Sequence, residues 1–376
     1  MKQGWEYKKW NEVLTIINGK NQSAVEDTNG EFPIYGSGGI MGYANNWLCP
    51  ENCVIIGRKG NINKPIFVKT KFWNVDTAFG LNANTEYLLP KYLFYFCLDY
   101  NFERHNKAVT IPSLTKADLL KIQIPLPSKS TQLSIISELE KINELIRLKK
   151  EQLKDYDNLA QSIFYEMFGD PVENDKGWEV KKLGEVCSLI CNGNTPKGGS
   201  EVYVKEGFLF LRSQNVWKNR IDLEDVAYID ESTHLSLKKS ILKHNDLLIT
   251  KTGRINTENS SLGRTALFEG GDGSANINGH VYLVRLKENM VHKYILYILI
   301  SNSYRELIRK TCVGGIDKRQ LNKDHIEDFP IIFPPIELQK IYSNRVSIIE
   351  RQKSSVQKSI TDLETLLASR MQYWFE

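Results

Sequence analysis

Cysteine is scarce: six in 376 residues, Cys49, Cys53, Cys97, Cys187, Cys191 and Cys312, are too few to staple a chain of this length. That excludes a disulfide scaffold and makes a reducing cytoplasm the expected compartment. Long apolar runs are missing too. The longest, Tyr294 to Ile300, falls far short of the roughly 20 residues a membrane-spanning helix needs. The opening MKQGWEYKKW holds no apolar segment of the kind that directs secretion, so neither export nor a membrane partner is expected. Charge of one sign is not in large excess: 49 Lys and Arg against 45 Asp and Glu leave +4, which permits an acidic partner without demanding one. Residues 1–130 carry 15 basic against 11 acidic side chains, and residues 131–168 carry 5 against 7. At 41% hydrophobic and 25% charged, the chain has material for packed cores, and its length suits two domains of about 100–200 residues each.

Catalytic motifs are also wanting. No Asn/Asp-Pro-Pro-aromatic element is present to hold a flipped base, because Pro334-Pro335 stands between Phe333 and Ile336. No phosphate loop occurs, and GSGGIMG (Gly36 to Gly42) puts Met41 where a dinucleotide loop has its third glycine. Glu6/Lys8 and Glu179/Lys181 give Glu-x-Lys, but no acid precedes the first copy to complete a metal's ligands. The Cys49/Cys53 and Cys187/Cys191 pairs fall at non-equivalent places, which favours buried thiols over zinc ligands. The six histidines show no ligand or triad spacing. No metal and no catalytic residue is assigned to the chain.

What the chain does have is a repeat. Shifted by 173, WEYKKWNEVLTIINGKN from Trp5 matches WEVKKLGEVCSLICNGN from Trp178 at 8 of 17 positions. A shift of 207 aligns Leu114 with Leu321, Pro127 with Pro334 and Gln132 with Gln339, so the second copy holds 34 more residues between its opening and its exit. After each Pro-rich exit comes a stretch of 41 residues without Gly or Pro, Ser128 to Phe168 and Ile336 to Glu376, about 60 Å if wholly helical.

Apolar residues in these stretches step by four and three, the mark of a coiled coil. The first seam is read as Ile135, Leu139, Ile142, Ile146, Leu153, Tyr156 and Ile163. The second is read as Val346, Ile349, Val356, Ile360, Leu363 and Leu367, with Lys149, Lys353 and Arg370 breaking the stripes. The two helices are expected to pair with each other. The middles mix short apolar runs with turns, giving a mixed α+β class. The expected division is residues 1–130, a long helix over 131–168, a linker over 169–176, a second domain over 177–335 and a second long helix over 336–376.

Reading duplex DNA takes cations for phosphates, and Arg, Lys, Asn or Gln that reach base edges. In the first middle the candidates lie on Gly-rich turns: Lys20 and Asn21, Tyr35 and Ser37, then Arg58, Lys59, Asn61 and Lys64, and farther on Arg104 and Lys107. In the second they are Asn194, Thr195 and Lys197, then Arg212, Gln214 and Asn215, then Lys251, Arg254 and Arg264, and finally Asn276, Lys318 and Arg319. Glycine beside them lets backbone N–H groups approach a phosphate closely.

A WExKKLGE-like opening, a divergent middle, a Pro-rich exit followed by Gln132 or Gln339, a long helix, and the same order again cover almost the whole chain. In this the chain resembles the specificity (S) subunit of Type I restriction-modification systems. YGSGGIMGY, IIGRKGNINKPIFV and FWNVDTAFGL are similar to one class of recognition domain. FLRSQNV, DLLITKTGR, LGRTALF and IDKRQLNKDHIEDFPI are similar to another. The resemblance implies two target recognition domains held by an antiparallel coiled coil with pseudo-two-fold symmetry, each reading one half of a bipartite, asymmetric site in double-stranded DNA. It further implies two methyltransferase (M) subunits that bind S-adenosylmethionine and methylate adenine, and restriction (R) subunits that use ATP and Mg. The chain itself would be noncatalytic and hold no cofactor.

Helix length would act as a ruler, one inserted heptad adding about 10 Å, or about three base pairs, to the gap. The residues also leave open a specificity subunit of a multisubunit type II system, a self-contained DNA-modifying enzyme, and a coiled-coil assembly protein without a DNA role.

Overall fold

The structure is a computed structural model that describes residues 4–106, 112–257, 259–315 and 317–376. Lys107, one of the candidates above, lies outside the described residues. Two compact units divide the chain, Met1–Gln152 with Ser355–Glu376, and Leu153–Ser354. Both dividing points fall inside long helices.

In the first unit the opening strand Glu6–Lys9 pairs antiparallel with the exit strand Gln123–Leu126, which closes the middle at its two ends. A single helical turn, Trp10–Val13, follows. The Glu12 carboxylate accepts the Lys9 N–H at 2.8 Å, and the turn drops Trp10 and Val13 into full burial. Beyond it lies a four-stranded antiparallel sheet in the order Leu14–Asn18, Ala78–Ala83, Cys53–Gly57, Ile66–Val68.

Cys53–Gly57 reads as an unbroken apolar run because both its faces are covered. Val54 and Ile56 point to the core beneath the helix Pro90–Asp99, while Cys53 and Ile55 join Cys49 and Phe72 on the other side. A mixed three-stranded sheet, Gly39–Ala44, Phe32–Gly36, Trp73–Asn74, carries a hairpin away from this core.

The second unit repeats the plan. Val180–Lys182 pairs with Pro330–Ile332, and the turn Leu183–Val186 leads to a sheet ordered Cys187–Asn192, Val281–Leu286, Leu247–Thr250, Thr265–Leu267. A second sheet, Tyr203–Val204, Ala227–Ile229, Phe208–Leu211, Ala275–Ile277, and the helix Glu231–Ser236 have no counterpart of that size among the described residues of the first unit. Tyr92 donates to the Pro125 carbonyl in one core and Tyr294 to the Ile332 carbonyl in the other, each at 2.9 Å.

Each exit glutamine is buried. Gln132 accepts the Leu89 N–H at 2.9 Å and donates to Tyr87 and Pro127 carbonyls, tying the helix Pro90–Asp99 to the foot of the first long helix.

The long helices run Lys129–Phe168 and Ile336–Phe375. Gly169, at φ +75°, stops the first. Within the first unit Lys150 pairs with Glu364 at 2.7 Å, Glu138 receives Arg370 and Trp374, and Phe375 packs at 5.3 Å from Tyr92. Within the second, Lys353 pairs with Asp157, the Tyr342 hydroxyl donates to the Ala160 carbonyl at 3.1 Å, and Phe168 packs at 5.5 Å from Tyr342. Numbers rise on one helix as they fall on the other, so the pair is antiparallel in each unit. Two of the stripe-breaking cations, Lys353 and Arg370, are thus spent on acids of the facing helix.

Among the seam positions Ile135, Leu139, Ile142, Ile146, Val346, Ile349, Val356 and Ile360 are buried, while Leu153, Tyr156, Ile163, Leu363 and Leu367 are half-buried. At the end of the first helix the fully buried places go to Phe164 and Phe168 instead of Ile163.

Arg370 and the Trp374 indole hold the Glu138 carboxyl below the usual carboxylate range. Its contribution is therefore present above the unfolded-state value of 4.5 and fades as pH falls below it. Glu138→Gln is expected to lower the urea midpoint at pH 7, with the difference from wild type shrinking toward pH 3. A pH-independent difference would refute the ion-pair account.

Candidate nucleic-acid interface

In the first unit the segments that carry Lys20, Tyr35 and Arg58 with Lys59 hang from one turn, Asn74–Thr77. The Lys20 N–H donates to the Asn74 carbonyl at 3.0 Å and the Val75 N–H to Tyr35 at 3.0 Å, while the Arg58 and Lys59 N–H groups both donate to Thr77, at 2.8 and 3.2 Å. Leu114 N–H then donates to the Arg58 carbonyl at 2.9 Å. Gly19 lies so close to this turn that a Cβ there would stand 1.8 Å from the Val75 carbonyl oxygen. Asn74, fully buried, donates to the Ala78 carbonyl at 3.2 Å and accepts the Cys49 thiol at 3.2 Å, holding the turn to the sheet.

The second unit builds the same junction from other residues. Gly193 N–H donates to Val281 as Gly19 donates to Ala78; Asn278 donates to Leu211 as Val75 to Tyr35; Lys251 donates to His280 as Arg58 to Thr77; and Leu321 donates to Lys251 as Leu114 to Arg58. A Cβ on Gly193 would stand 2.0 Å from the Ile277 carbonyl oxygen. The glycines are 174 apart, not 173, because the strand Cys187–Asn192 carries a one-residue bulge between Cys187 and Leu189 that Leu14–Asn18 lacks. The frame of the middle is therefore duplicated even where the sequence is not.

Around the first junction Lys20, Asn21, Arg58, Lys59 and Asn61 are exposed, Ser37 sits half-exposed at the hairpin tip, and Tyr35 is half-buried edge-on to Phe72. The Arg58 guanidinium reaches the Asp76 carbonyl at 3.5 Å. Burial and the neighbouring Tyr43 push the Tyr35 hydroxyl up, so it stays a neutral donor. Lys64 is exposed farther along the same loop. Arg104 is exposed on the turn Phe102–His105, which is fastened to that loop where the Phe102 N–H donates to Asn63 at 2.8 Å.

Around the second junction Asn194, Thr195 and Lys197 are exposed and line a polar recess of about 630 Å³ with Ser232, Thr233 and Ser236. Lys251 is half-buried, its ammonium 5.8 Å from the Tyr282 ring, and Lys318 is exposed. Several candidates are committed internally. Arg212 and Gln214 both hold Asp225, at 3.3 and 2.8 Å, and Arg254 pairs with Asp317 at 3.3 Å. The Arg319 guanidinium donates to the Cys312 carbonyl at 3.4 Å.

Asn215 is buried and donates to the carbonyls of Asp222 and Asp225, fixing its own turn. Asn276 is fully buried against His234, Leu237 and Ser240, because its strand lies between a parallel partner and that helix. Its side chain is structural. Arg264 is stacked 3.8 Å over Trp217 and donates to Ser260, and burial together with nearby Arg305 pushes its pKa down.

Not flagged by the sequence are Asn74, the pin of the first junction, and Ile40 and Met41, apolar yet 56% and 62% exposed at the hairpin tip. The cysteines are free and all but Cys191 fully buried; burial pushes the Cys53 and Cys187 thiols up to about 12, so they stay protonated. Among the described residues no three His, Cys, Asp or Glu are grouped to hold a metal ion, and no helix is long and apolar enough to cross a membrane.

Residues 2–155 and 175–365 match the family model described as Type I restriction modification DNA specificity domain. The Type I restriction enzyme MjaIX specificity subunit of Methanocaldococcus jannaschii is 25% identical over 279 residues, 68% of this chain and 61% of that relative. The MjaVIII specificity subunit of the same organism is 22% identical over 398 residues, 97% of this chain and 92% of that one. Among solved structures, the S subunit of a type I restriction-modification system from M. genitalium superposes with TM-score 0.58 at 14% identity, covering 100% of this chain and 98% of its own. A chain solved for complex assembly and conformational transition of the type I R-M system gives TM-score 0.60 at 18% identity, covering 99% and 97%.

Proposed function

Because the chain belongs to the Type I restriction modification DNA specificity domain family, we propose that it is the sequence-reading subunit of such a system, each unit reading one half of a bipartite, asymmetric duplex target. The observation that carries this reading is the junction built twice. Matching backbone bonds hold Gly19, Tyr35 and Arg58 in one unit and Gly193, Leu211 and Lys251 in the other. A fixed frame bearing different side chains suits two readers of unlike half-sites. Exposed Lys and Arg at each junction supply phosphate contacts, and the Asn and Ser beside them supply base contacts.

The chemistry belongs to partners: two methyltransferase subunits carrying S-adenosylmethionine for adenine methylation, and restriction subunits using ATP and Mg. The paired helices offer these subunits a stiff frame. A chain of net charge +4 grips DNA weakly and with strong salt dependence when alone.

The purified chain with S-adenosylmethionine and DNA is expected to transfer no methyl groups. Joined to its methyltransferase subunits, it should direct adenine methylation to one sequence made of two separated, dissimilar parts, read by single-molecule sequencing. Methyl transfer by the chain alone, or methylation by the complex without sequence preference, would overturn the reading.

A further inference from the structure

The hairpin Phe32–Gly36 and Gly39–Ala44 projects a tip that hydrophobic burial does not explain. Strict alternation along Gly39–Ala44 would turn one of any two neighbours inward. Here a bulge between Ile34 and Tyr35 places Ile34 opposite Gly42 and Tyr35 opposite Ile40, leaving Met41 as the extra residue. Ile40 and Met41 are consecutively exposed as a result, at 56% and 62%. Bulges re-aim side chains in this way.

Trp73–Asn74 pairs only with Ile34 and Tyr35, and Tyr35 in turn pairs with Ile40, so past that pair the hairpin narrows to Gly36, Gly39 and the turn Ser37–Gly38. A hairpin end of two strands is what the major groove of B-DNA admits.

The chemistry at the tip matches one base pair in particular. The Asn61 amide lies 3.9 Å from where a Cβ of Gly38 would stand, and exposed Arg58 and Lys59 precede it on the same loop. The Glu26 carboxylate lies 3.4 Å from where a Cβ of Gly42 would stand, on the side of Met41 away from the turn. An A·T pair presents adenine N7 and N6 to an asparagine amide and a thymine C5-methyl to an apolar side chain, with phosphates on either side for cations.

We propose that the hairpin end carrying Ile40 and Met41 enters the major groove and reads a thymine methyl in the half-site of the first unit. The proposal rests on the DNA-reading function above and names the base it reads there.

The test uses the chain assembled with its methyltransferase subunits on a duplex carrying the mapped target. Each thymine of the first unit's half-site is replaced singly by deoxyuridine, which differs by that methyl alone. One replacement is expected to weaken binding about three- to fivefold, the worth of one buried methyl. Met41→Ala or Ile40→Ala should weaken binding to the thymine duplex by a similar factor and abolish its difference from the deoxyuridine duplex, while Met41→Leu keeps the difference. Both residues are exposed, so the variants fold.

Specific binding that ignores every deoxyuridine, or a first half-site without thymine, overturns the proposal and leaves the DNA-reading function standing. Met41→Ala that spares DNA binding but loosens the methyltransferase subunits would mark the tip as a protein contact and overturn it equally. A complex with no sequence preference at all removes the function and the proposal together.

Discussion

Tyr342→Ala lowers the unfolding free energy of the chain by about 3–5 kcal/mol, the cost of truncating a large buried aromatic. Tyr342 is fully buried, its ring 5.4 Å from Phe164, 5.5 Å from Phe168 and 5.5 Å from Tyr297, and its hydroxyl donates to the Ala160 carbonyl at 3.1 Å. Those neighbours come from the first long helix and from His292–Leu299, both pinned elsewhere, so the cavity cannot collapse. Tyr342→Phe keeps the ring and loses only the hydrogen bond, about 1 kcal/mol.

Burial also holds the Tyr342 hydroxyl far above its ordinary 10.0, and Tyr294 and Tyr304 likewise. The unfolded chain releases these protons near pH 10 and the folded one does not, so their contribution is complete below pH 10 and is lost as pH rises past it. Urea denaturation followed by circular dichroism checks both points. An alanine variant within 1 kcal/mol of wild type, or a Phe variant with an unchanged alkaline slope, would contradict this account.

The parts of this architecture that the sequence discloses are those set by composition and period. Stretches without Gly or Pro and with a seam at steps of four and three become the two long helices, and matching openings and exits become paired strands. The seam is legible only while packing is helix on helix. Where the first helix enters the core of the second unit, Tyr294 and Tyr342 call for aromatic neighbours, and Phe164 and Phe168 displace Ile163 from the buried face.

The duplicated junction is not legible, because it is made of backbone N–H and carbonyl groups that any residue supplies. Its one side-chain requirement, glycine at 19 and 193, is hidden by the bulge at Ser188, which sets a 173-residue alignment one place out of register. Asn276 fails as a base reader for a related reason. Polarity alone does not say whether an asparagine meets solvent or a buried histidine. Ile40 and Met41 err the other way, being apolar residues that default to the core until the bulge puts them outside.

Gly19→Ala and Gly193→Ala are each expected to cost the assembled complex about a hundredfold or more in target-specific methylation. The added methyl would stand 1.8 Å from the Val75 carbonyl oxygen in one case and 2.0 Å from that of Ile277 in the other. Both obstacles are backbone, so the junction itself must shift. Displacing it moves the Lys20, Tyr35 and Arg58 segments together, or the Asn194, Leu211 and Lys251 segments together. Losing two base contacts of about 1–3 kcal/mol each accounts for a loss of that size.

Gly271→Ala meets nothing within 4 Å and is the neutral comparison. Because the frame is separate from the helices, all three variants should still bind the methyltransferase subunits. The discriminating measurement is the base-substitution profile: Gly19→Ala should flatten it in one half-site and Gly193→Ala in the other. Equal flattening of both halves by either variant would show that the two junctions do not act as independent readers.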